Sequence, residues 1–194
     1  MNRVSRTTIK RSINSFAFTA LLLFGNALEA EAQKMYIWCP DELKATPRTD
    51  QLRDVEINLL VTDARIVSEK VRDKCSSQEL IDGVVRLIKG AYPAARITVL
   101  PEGERRAEDG KVMLEVRITS YHATFTSPSW FALTGFSVRL VNQRGERREN
   151  SRDISKEKKF FNAGGFATAK NNLNKAYVEA CIELLDFISD ELER

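Results

Sequence analysis

The sequence has few residues that carry chemistry: one histidine, three cysteines and two tryptophans among 194 residues. Because His122 is the single histidine, one chain cannot build a metal site that needs a histidine pair, and any Ser–His or Cys–His pair must use this residue. The G-x-S-x-G, P-loop, C-x-x-C and G-x-G-x-x-G motifs are absent as well. We therefore expect no catalytic residue, no metal site and no cofactor, and we predict that the protein is not an enzyme.

Glycine, proline and long apolar runs are also scarce. The chain has 9 glycines and 5 prolines, with 43% hydrophobic and 29% charged residues, which excludes a collagen-like repeat and a disordered chain. A membrane-spanning helix needs about 20 consecutive apolar residues, and no segment of the sequence reaches that length. We predict a folded globular protein without a transmembrane segment.

Residues 1–32 have the three parts of a secretory signal peptide. Residues 3–11 hold four basic side chains and no acidic one, residues 16–24 form a short apolar run, and Ala30 and Ala32 stand at the positions that a signal peptidase reads. We predict cleavage between Ala32 and Gln33 and a mature protein that is periplasmic or secreted. Because Gln33 is not a cysteine, the predicted mature chain begins without the residue that a lipid anchor requires.

The formal charge of +3 belongs mainly to this leader. Its four basic and two acidic residues contribute +2, which leaves +1 for the 162 residues that follow. Nucleic-acid-binding domains are usually strongly basic. We therefore predict a protein or a cell-envelope component as the partner, and no nucleic acid.

An exported protein can keep disulfides, because the compartments outside the cytoplasm are oxidising. Cys181 falls on the apolar face of the last predicted helix, where a free thiol behaves as a small hydrophobic group. Cys39 and Cys75 lie in polar, loop-like sequence on either side of the first predicted strand. We predict a Cys39–Cys75 disulfide, which the chain-entropy model values at about 3–4 kcal/mol. Three reduced thiols remain the alternative, since connectivity cannot be deduced from sequence alone.

The first half of the mature chain predicts three segments. Apolar and polar residues alternate from Val55 to Val61, which indicates a strand with one buried face. Ser76 and Glu79 form a capping box ahead of apolar residues at helical spacing. The predicted segments are an extended arm over 33–53, a strand over 54–66 and a helix over 77–91.

The second half predicts four strands and a long helix, which completes the order βαββββα. Strands with one polar face, together with helices that have one apolar stripe, are typical of an α+β two-layer sandwich. We predict a mostly antiparallel sheet of about five strands with two helices on one face, and a single domain over 54–194. The predicted elements are strands over 96–100, 111–119, 136–140 and 147–161, and a helix over 167–192.

His122 follows the clearest of these strands. Strict alternation places it on the same face as Leu114, Val116 and Ile118, at the rim of the core. No orienting motif surrounds the imidazole, and we interpret it as a structural or surface histidine rather than a general base.

The segment over 144–159 holds seven basic and four acidic side chains. Charges interspersed in this way usually protect an exposed sheet edge from pairing with another chain. Contact with an anionic envelope polymer or a lipid headgroup is the alternative interpretation.

Aromatic residues crowd the segment over 121–136 around the sequence Thr126-Ser127-Pro128-Ser129. If these side chains project from a loop, they form a rigid patch of the kind that is enriched at interaction hot spots. If they fold back, they belong to the core. Phe160, Phe161 and Phe166 can extend the same surface. The hypothesised partner-binding residues are Tyr121, Phe125, Trp130 and Phe131.

The leader, the strand at 55–61, the capped helix, the run of strands and the long last helix together resemble small bacterial envelope accessory proteins. These are the auxiliary lipoproteins of ABC-type transport systems and the α/β subunit of the lipopolysaccharide assembly translocon. The resemblance covers most of residues 54–192 and rests on topology. It implies a sheet with two helices and a role in binding envelope partners rather than in catalysis. Gln33 stands where both groups have a lipidated cysteine.

Three functional hypotheses follow from this sequence. The first is an exported, non-enzymatic envelope accessory or protein-interaction domain that uses the aromatic segment. The second is a periplasmic binding protein for a small or lipid-like ligand held between helices and sheet, in a pocket lined by Val116, Ile118, Tyr177 and Leu184. The third is a hydrolase that uses His122, which requires an acid or a nucleophile in contact with the ring.

Overall fold

The computed structural model describes residues 34–66, 72–104, 110–144 and 147–193, so the predicted signal peptide over 1–32 lies outside the described residues. Two helices and seven strands make up the described part of the chain. In chain order they are β1 (Met35–Trp38), β2 (Glu56–Asp63), β3 (Arg72–Lys74), α1 (Ser77–Ala91), β4 (Arg96–Val99), β5 (Val112–Thr126), β6 (Ser129–Asn142), β7 (Arg148–Phe161) and α2 (Gly165–Leu192).

Strand β5 is the centre of the sheet. Along its length it pairs antiparallel with β6, which in turn pairs antiparallel with β7. Its other edge is shared, because β2 runs parallel to residues 112–118 and β1 runs antiparallel to residues 123–124. β4 and β3 are the parallel outer neighbours of β2 and β1. The sheet is therefore mixed and has seven strands; the predicted mostly antiparallel sheet of about five strands is wrong in direction and in size.

Two short strands and one crossover account for this difference. β1 has four residues and β3 has three, which is too short to show a period, and β1 lies inside the segment predicted as an extended arm over 33–53. The connection from β2 through α1 returns the chain in its original direction, so β4 is parallel to β2. A period of two identifies the buried face of a strand but says nothing about the direction of its neighbour.

Helix α1 begins where the capping box predicts. The Glu79 amide donates to Ser76 Oγ at 3.2 Å, and the Ser76 amide donates to the Glu79 carboxylate at 2.8 Å. The apolar stripes of α1 and α2 join one continuous core on one face of the sheet, so the α+β class with two helices is confirmed. Neither of the two described helices is long and apolar enough to cross a bilayer.

The segment over 121–136 is not a loop. Its residues belong to β5 and β6, which remain paired as far as Thr126 and Ser129. Ser127 and Pro128, joined by a cis peptide bond, form the turn. The predicted aromatic loop is therefore an aromatic hairpin, because aromatic and β-branched residues favour strands and the Ser-Pro pair interrupts them for one turn only.

A β-bulge in β5 changes which residues of its second half point toward the helices. The register with β6 shifts between Ile118 and Ser120, so the alternation of faces restarts there. Leu114 and Ile118 face the helices before the bulge, and Tyr121 faces them after it. His122 consequently lies on the opposite face of the sheet, and its predicted placement beside Leu114 and Ile118 is wrong.

The basic segment of β7 is anchored on α2. The strand residues in this contact all stand at even-numbered positions and therefore share one face of β7, and the helix residues that they meet stand four positions apart on one side of α2. Among the described strands β7 pairs with β6 alone, and its charged side chains suit an edge strand. The contacts are Lys158–Glu179 at 2.6 Å, Lys156–Glu183 at 2.5 Å, Arg152 over the Phe187 ring at 5.0 Å, and Asn150–Glu191.

Candidate functional site

Five aromatic side chains meet at the end of the sheet where β5 turns into β6. Tyr36 and Trp38 share one face of β1, because alternate residues of a strand point to the same side. In the hairpin, Phe125 of β5 lies directly opposite Trp130 of β6. This aromatic cluster consists of Tyr36 and Trp38 from β1, Phe125 from β5, Trp130 from β6 and Phe166 from the first turn of α2.

The rings pack at separations typical of aromatic pairs. Tyr36 stacks on Trp38 with ring centroids 5.9 Å apart, and it meets Trp130 edge-on at 5.3 Å. Phe166 lies 5.1 Å from Tyr36 and 5.6 Å from Trp130. Phe125 lies 5.1 Å from Trp130. Tyr36, Trp130 and Phe166 therefore each contact three of the other rings.

Trp130 is a core residue. It is 4% exposed, and its indole N–H donates to Asn162 Oδ1 at 2.9 Å. The backbone N–H of Asn162 donates to the Pro128 carbonyl at 3.1 Å. The hairpin turn and the residue after β7 are therefore joined around the indole. Because the indole is buried and its N–H is satisfied, Trp130 stabilises the cluster as part of the core. This burial does not fit direct contact of Trp130 with a partner.

Tyr121 is buried as well, at 1% exposure. Its hydroxyl donates to the Trp38 carbonyl at 2.9 Å, and its ring meets Tyr177 of α2 edge-on at 5.6 Å. Burial, assisted by the negative charge of Asp41, raises the pKa of the Tyr121 phenol far above its ordinary value. Tyr121 therefore holds β1 against the core and is not a surface residue.

The other two hypothesised residues lie on opposite faces of the hairpin. Phe125 is 36% exposed and belongs to the aromatic cluster. Phe131 is half-buried on the outer face, with the Lys159 ammonium 5.3 Å from its ring centroid. Phe161 and Phe166 are 67% and 52% exposed. Phe125, Phe161 and Phe166 are thus the exposed aromatic residues at this end of the sheet, and Phe125 and Phe166 belong to the aromatic cluster.

A cavity of about 140 Å³ opens beside the cluster. Tyr36, Trp38 and Phe166 line it together with Arg72 and Lys74 of β3, and both cations are exposed. Of these lining residues, Phe166 alone was predicted from the sequence. The sequence Met35-Tyr36-Ile37-Trp38, with two aromatic residues around a buried one, is a short alternation that could have indicated the strand.

The Cys39–Cys75 disulfide holds one wall of this cavity. Trp38 and Lys74 are partners in the parallel pair of β1 and β3, and each is followed by one of the two cysteines, whose Cα atoms lie 4.7 Å apart. Among the described residues, Cys39, Cys75 and Glu79 have the spacing of a metal site. The sulfurs are joined to each other, and Glu79 caps α1, so these groups have structural roles.

The two other reactive side chains, Cys181 and His122, are not part of this aromatic cluster. Cys181 is the free cysteine, fully buried, and burial raises the pKa of its thiol to about 12, which makes it a poor nucleophile. His122 is half-buried, and burial followed by the nearby Arg65 guanidinium lowers its pKa. A carboxylate partner of the kind that orients a catalytic histidine would raise that pKa instead.

The space between helices and sheet is filled. The four side chains that would line a hollow there, Val116, Ile118, Tyr177 and Leu184, are at most 4% exposed and belong to the packed core. This packing counts against the hypothesis of a small or lipid-like ligand in the interior. A groove of about 460 Å³ lies outside the core, between residues 39–47 and helix α1.

The fold defines a class of two-layer α+β domains in which a mixed sheet carries two helices on one face. Among solved structures, the chain is similar to protein XCC0632 of Xanthomonas campestris, from the family DUF330, with a TM-score of 0.52 and 12% identity over 80% of this chain and 93% of that one. At this identity the similarity concerns the fold alone.

Two further solved structures are similar at lower scores. Lipoprotein GNA1162 of Neisseria meningitidis has a TM-score of 0.33 and 14% identity, over 66% of this chain and 99% of that one. Protein CT253 of Chlamydia trachomatis has a TM-score of 0.44 and 9% identity, over 71% and 97% of the two chains. No family model and no curated protein matches the sequence.

Proposed function

We propose that this protein is an exported, non-enzymatic accessory protein of the bacterial envelope that binds a partner protein through its aromatic cluster. The observation that carries the proposal is the cavity in which Tyr36, Trp38 and Phe166 stand beside the cations Arg72 and Lys74. Exposed aromatic side chains on a rigid scaffold are typical of interaction surfaces.

The chemistry of the cavity selects one kind of partner segment. Its volume of about 140 Å³ is that of one large apolar side chain. Arg72 and Lys74 share a face of β3, whereas Asp73 turns away and accepts a hydrogen bond from the Cys75 amide at 2.8 Å. We infer that the partner presents an extended segment with an apolar side chain flanked by acidic residues.

The position of β3 suits such a segment. β3 is the last of the described strands on its side of the sheet, so an extended chain can add to it through backbone hydrogen bonds while the side chains of that segment enter the cavity. The predicted signal peptide over 1–32 and the Cys39–Cys75 disulfide support export to an oxidising compartment, and XCC0632, which has a similar fold, is a bacterial protein.

Photo-crosslinking tests this proposal at single positions. Phe166 is replaced by p-benzoylphenylalanine in cells that produce the protein natively, and the crosslinked peptide is sequenced by mass spectrometry. We expect one major adduct, to an acidic and apolar segment of an envelope protein. Arg72→Ser with Lys74→Ser should reduce this adduct at least tenfold without changing the circular dichroism spectrum, because both residues are exposed.

The matched control places the same crosslinker at Ile182, which is 50% exposed on α2. We expect no corresponding adduct from that position. The same adduct from both positions, an adduct that survives the double serine substitution, or a crosslinked segment without acidic residues would each overturn the proposal.

A further inference from the structure

Another cavity, of about 190 Å³, lies beside the bulge in β5 and is lined by residues of β1, of β5 and of the segment that follows β2. The bulge in β5 shapes it, because the register shift brings Thr119, Ser120 and His122 around one depression. Arg65, which follows β2, lines the same cavity beside the apolar side chains Ile37 and Ile66. This cavity is separate from the aromatic cluster.

Arg65 has an unusual environment for a cation. Its Nε and Nη2 donate to the Asp63 carboxylate at 2.8 and 2.7 Å, and the two side chains are only 4% and 8% exposed. Ser77 Oγ also donates to this carboxylate, at 2.6 Å. Asp63 therefore holds one edge of the guanidinium firmly, with bidentate geometry.

The other edge of the same guanidinium is unsatisfied. Arg65 Nη1 is buried and has no hydrogen-bond partner within the described part of the chain. A buried N–H donor without a partner destabilises a folded protein unless a ligand or water satisfies it. Because Nε and Nη2 engage Asp63, the geometry of a guanidinium directs Nη1 away from that carboxylate.

The groups beside Arg65 are those that recognise an anion. Ser120 and Thr119 offer hydroxyl donors, and His122 offers an imidazole N–H that becomes two donors on protonation. A planar guanidinium with hydroxyl and imidazole donors is a common receptor for carboxylate and phosphate oxygens. Asp63 neutralises the charge of Arg65 without occupying Nη1.

We propose that this cavity binds a small anion, with one oxygen accepting from Arg65 Nη1 and the others from the donors of Ser120 and His122. Carboxylate and phosphate share this chemistry. A cavity of this size holds an anion of a few heavy atoms. The site is distinct from the partner surface, because the two cavities have no lining residue in common.

Proton NMR tests the site directly, since the chain has a single histidine and therefore one imidazole C–H pair to observe. The purified protein is titrated with sodium phosphate, sodium acetate and, at matched ionic strength, sodium chloride. We expect a saturable shift of the His122 signals with phosphate or acetate and none with chloride. A bound anion should also raise the pKa of His122, because it favours the imidazolium. Comparison of the phosphate and acetate curves identifies the preferred anion.

Two substitutions and a control assign the effect to Arg65. Arg65→Gln and the milder Arg65→Lys, which keeps the charge but loses the forked geometry, should each weaken anion binding at least fivefold. Arg117→Gln changes an exposed arginine on the same strand as His122 and should leave binding unchanged.

The titration of the unaltered protein decides the proposal even if Arg65→Gln does not fold. A His122 signal that responds to neither phosphate nor acetate, or that responds equally to chloride, would overturn it. So would full binding in folded Arg65→Lys.

Discussion

Asp63 and Arg65 form an ion pair that is almost entirely withdrawn from water, at 8% and 4% side-chain exposure. Burial alone raises the pKa of the Asp63 carboxyl, but hydrogen bonds from the Arg65 and Ser77 side chains and from the Arg65 amide outweigh it and hold the pKa below its ordinary value. The folded protein therefore binds this proton less tightly than the unfolded chain does. The contribution of the pair to stability is complete above the unfolded pKa and is lost as pH falls through the folded pKa.

We expect Asp63→Asn to lower the free energy of unfolding at neutral pH by about 3 kcal/mol, because it leaves a buried guanidinium without its anion. The variant should also lose less stability than the unaltered protein when the pH is lowered from about 5 to about 2. Urea unfolding curves across this range measure both effects. Asp153→Asn on the exposed side of β7 is the control and should keep the original acid dependence; equal acid dependence in Asp63→Asn would contradict the prediction.

At the scale of elements, the β5–β6 ribbon depends on one glycine opposite the bulge. Gly135 pairs with Ser120, and a Cβ at Gly135 would lie 2.8 Å from Thr119 Oγ1 and 3.4 Å from Ser120 Cβ. The strands approach too closely there for a larger residue. The bulge decides which face His122 and Tyr121 occupy, so this contact also positions the anion cavity and one support of the aromatic cluster.

Gly135→Ala should lower the free energy of unfolding by about 1–3 kcal/mol, because the added methyl group overpacks the bulge. Thr119→Ala, which removes the hydroxyl that the methyl group meets, should recover more than half of this loss when the two changes are combined. Chemical denaturation of the two single variants and the double variant measures the coupling. Additive effects, or a neutral Gly135→Ala, would show that Thr119 does not restrict this position.

At the scale of the whole molecule, the segment between β1 and β2 is held to both helices. The disulfide fixes Cys39 to the residue before the N-cap of α1. Arg48 donates to Ser189 Oγ at 2.5 Å and binds Asp186 of α2 at 2.6 Å. These two attachments join the first strand, the first helix and the last helix into one packed unit.

Replacing Cys39 and Cys75 by serine should lower the free energy of unfolding by about 3–4 kcal/mol, because the unfolded chain loses a closed loop with a sequence separation of 36. Thermal and urea unfolding of the double variant provide the measurement. The unaltered protein unfolded under reducing conditions is the control and should match the variant. Unchanged stability, or a reduced protein as stable as the oxidised one, would contradict this prediction.

Local signals in the sequence predict those parts of the fold that local physics determines. The capping box at Ser76 marks the start of α1, and the apolar stripes of both helices identify their buried faces, since a helix end and a helix face depend on residues within a few positions. β1, β3 and the bulge after Ile118 escape such analysis, because each is defined by its pairing with a distant strand. The cavity residues Tyr36, Arg72 and Lys74 were missed for the same reason.

The sequence by itself determined the α+β class and the two helices, because composition, period and capping are short-range properties of the chain. It also predicted the leader over 1–32 and the Cys39–Cys75 pairing. Only the tertiary structure decided the strand directions, the burial of Tyr121 and Trp130, and the meeting of Arg65 with His122. Those features depend on which segments share an edge of the sheet, and that choice is made by the packing of the whole core rather than by any stretch of residues within it.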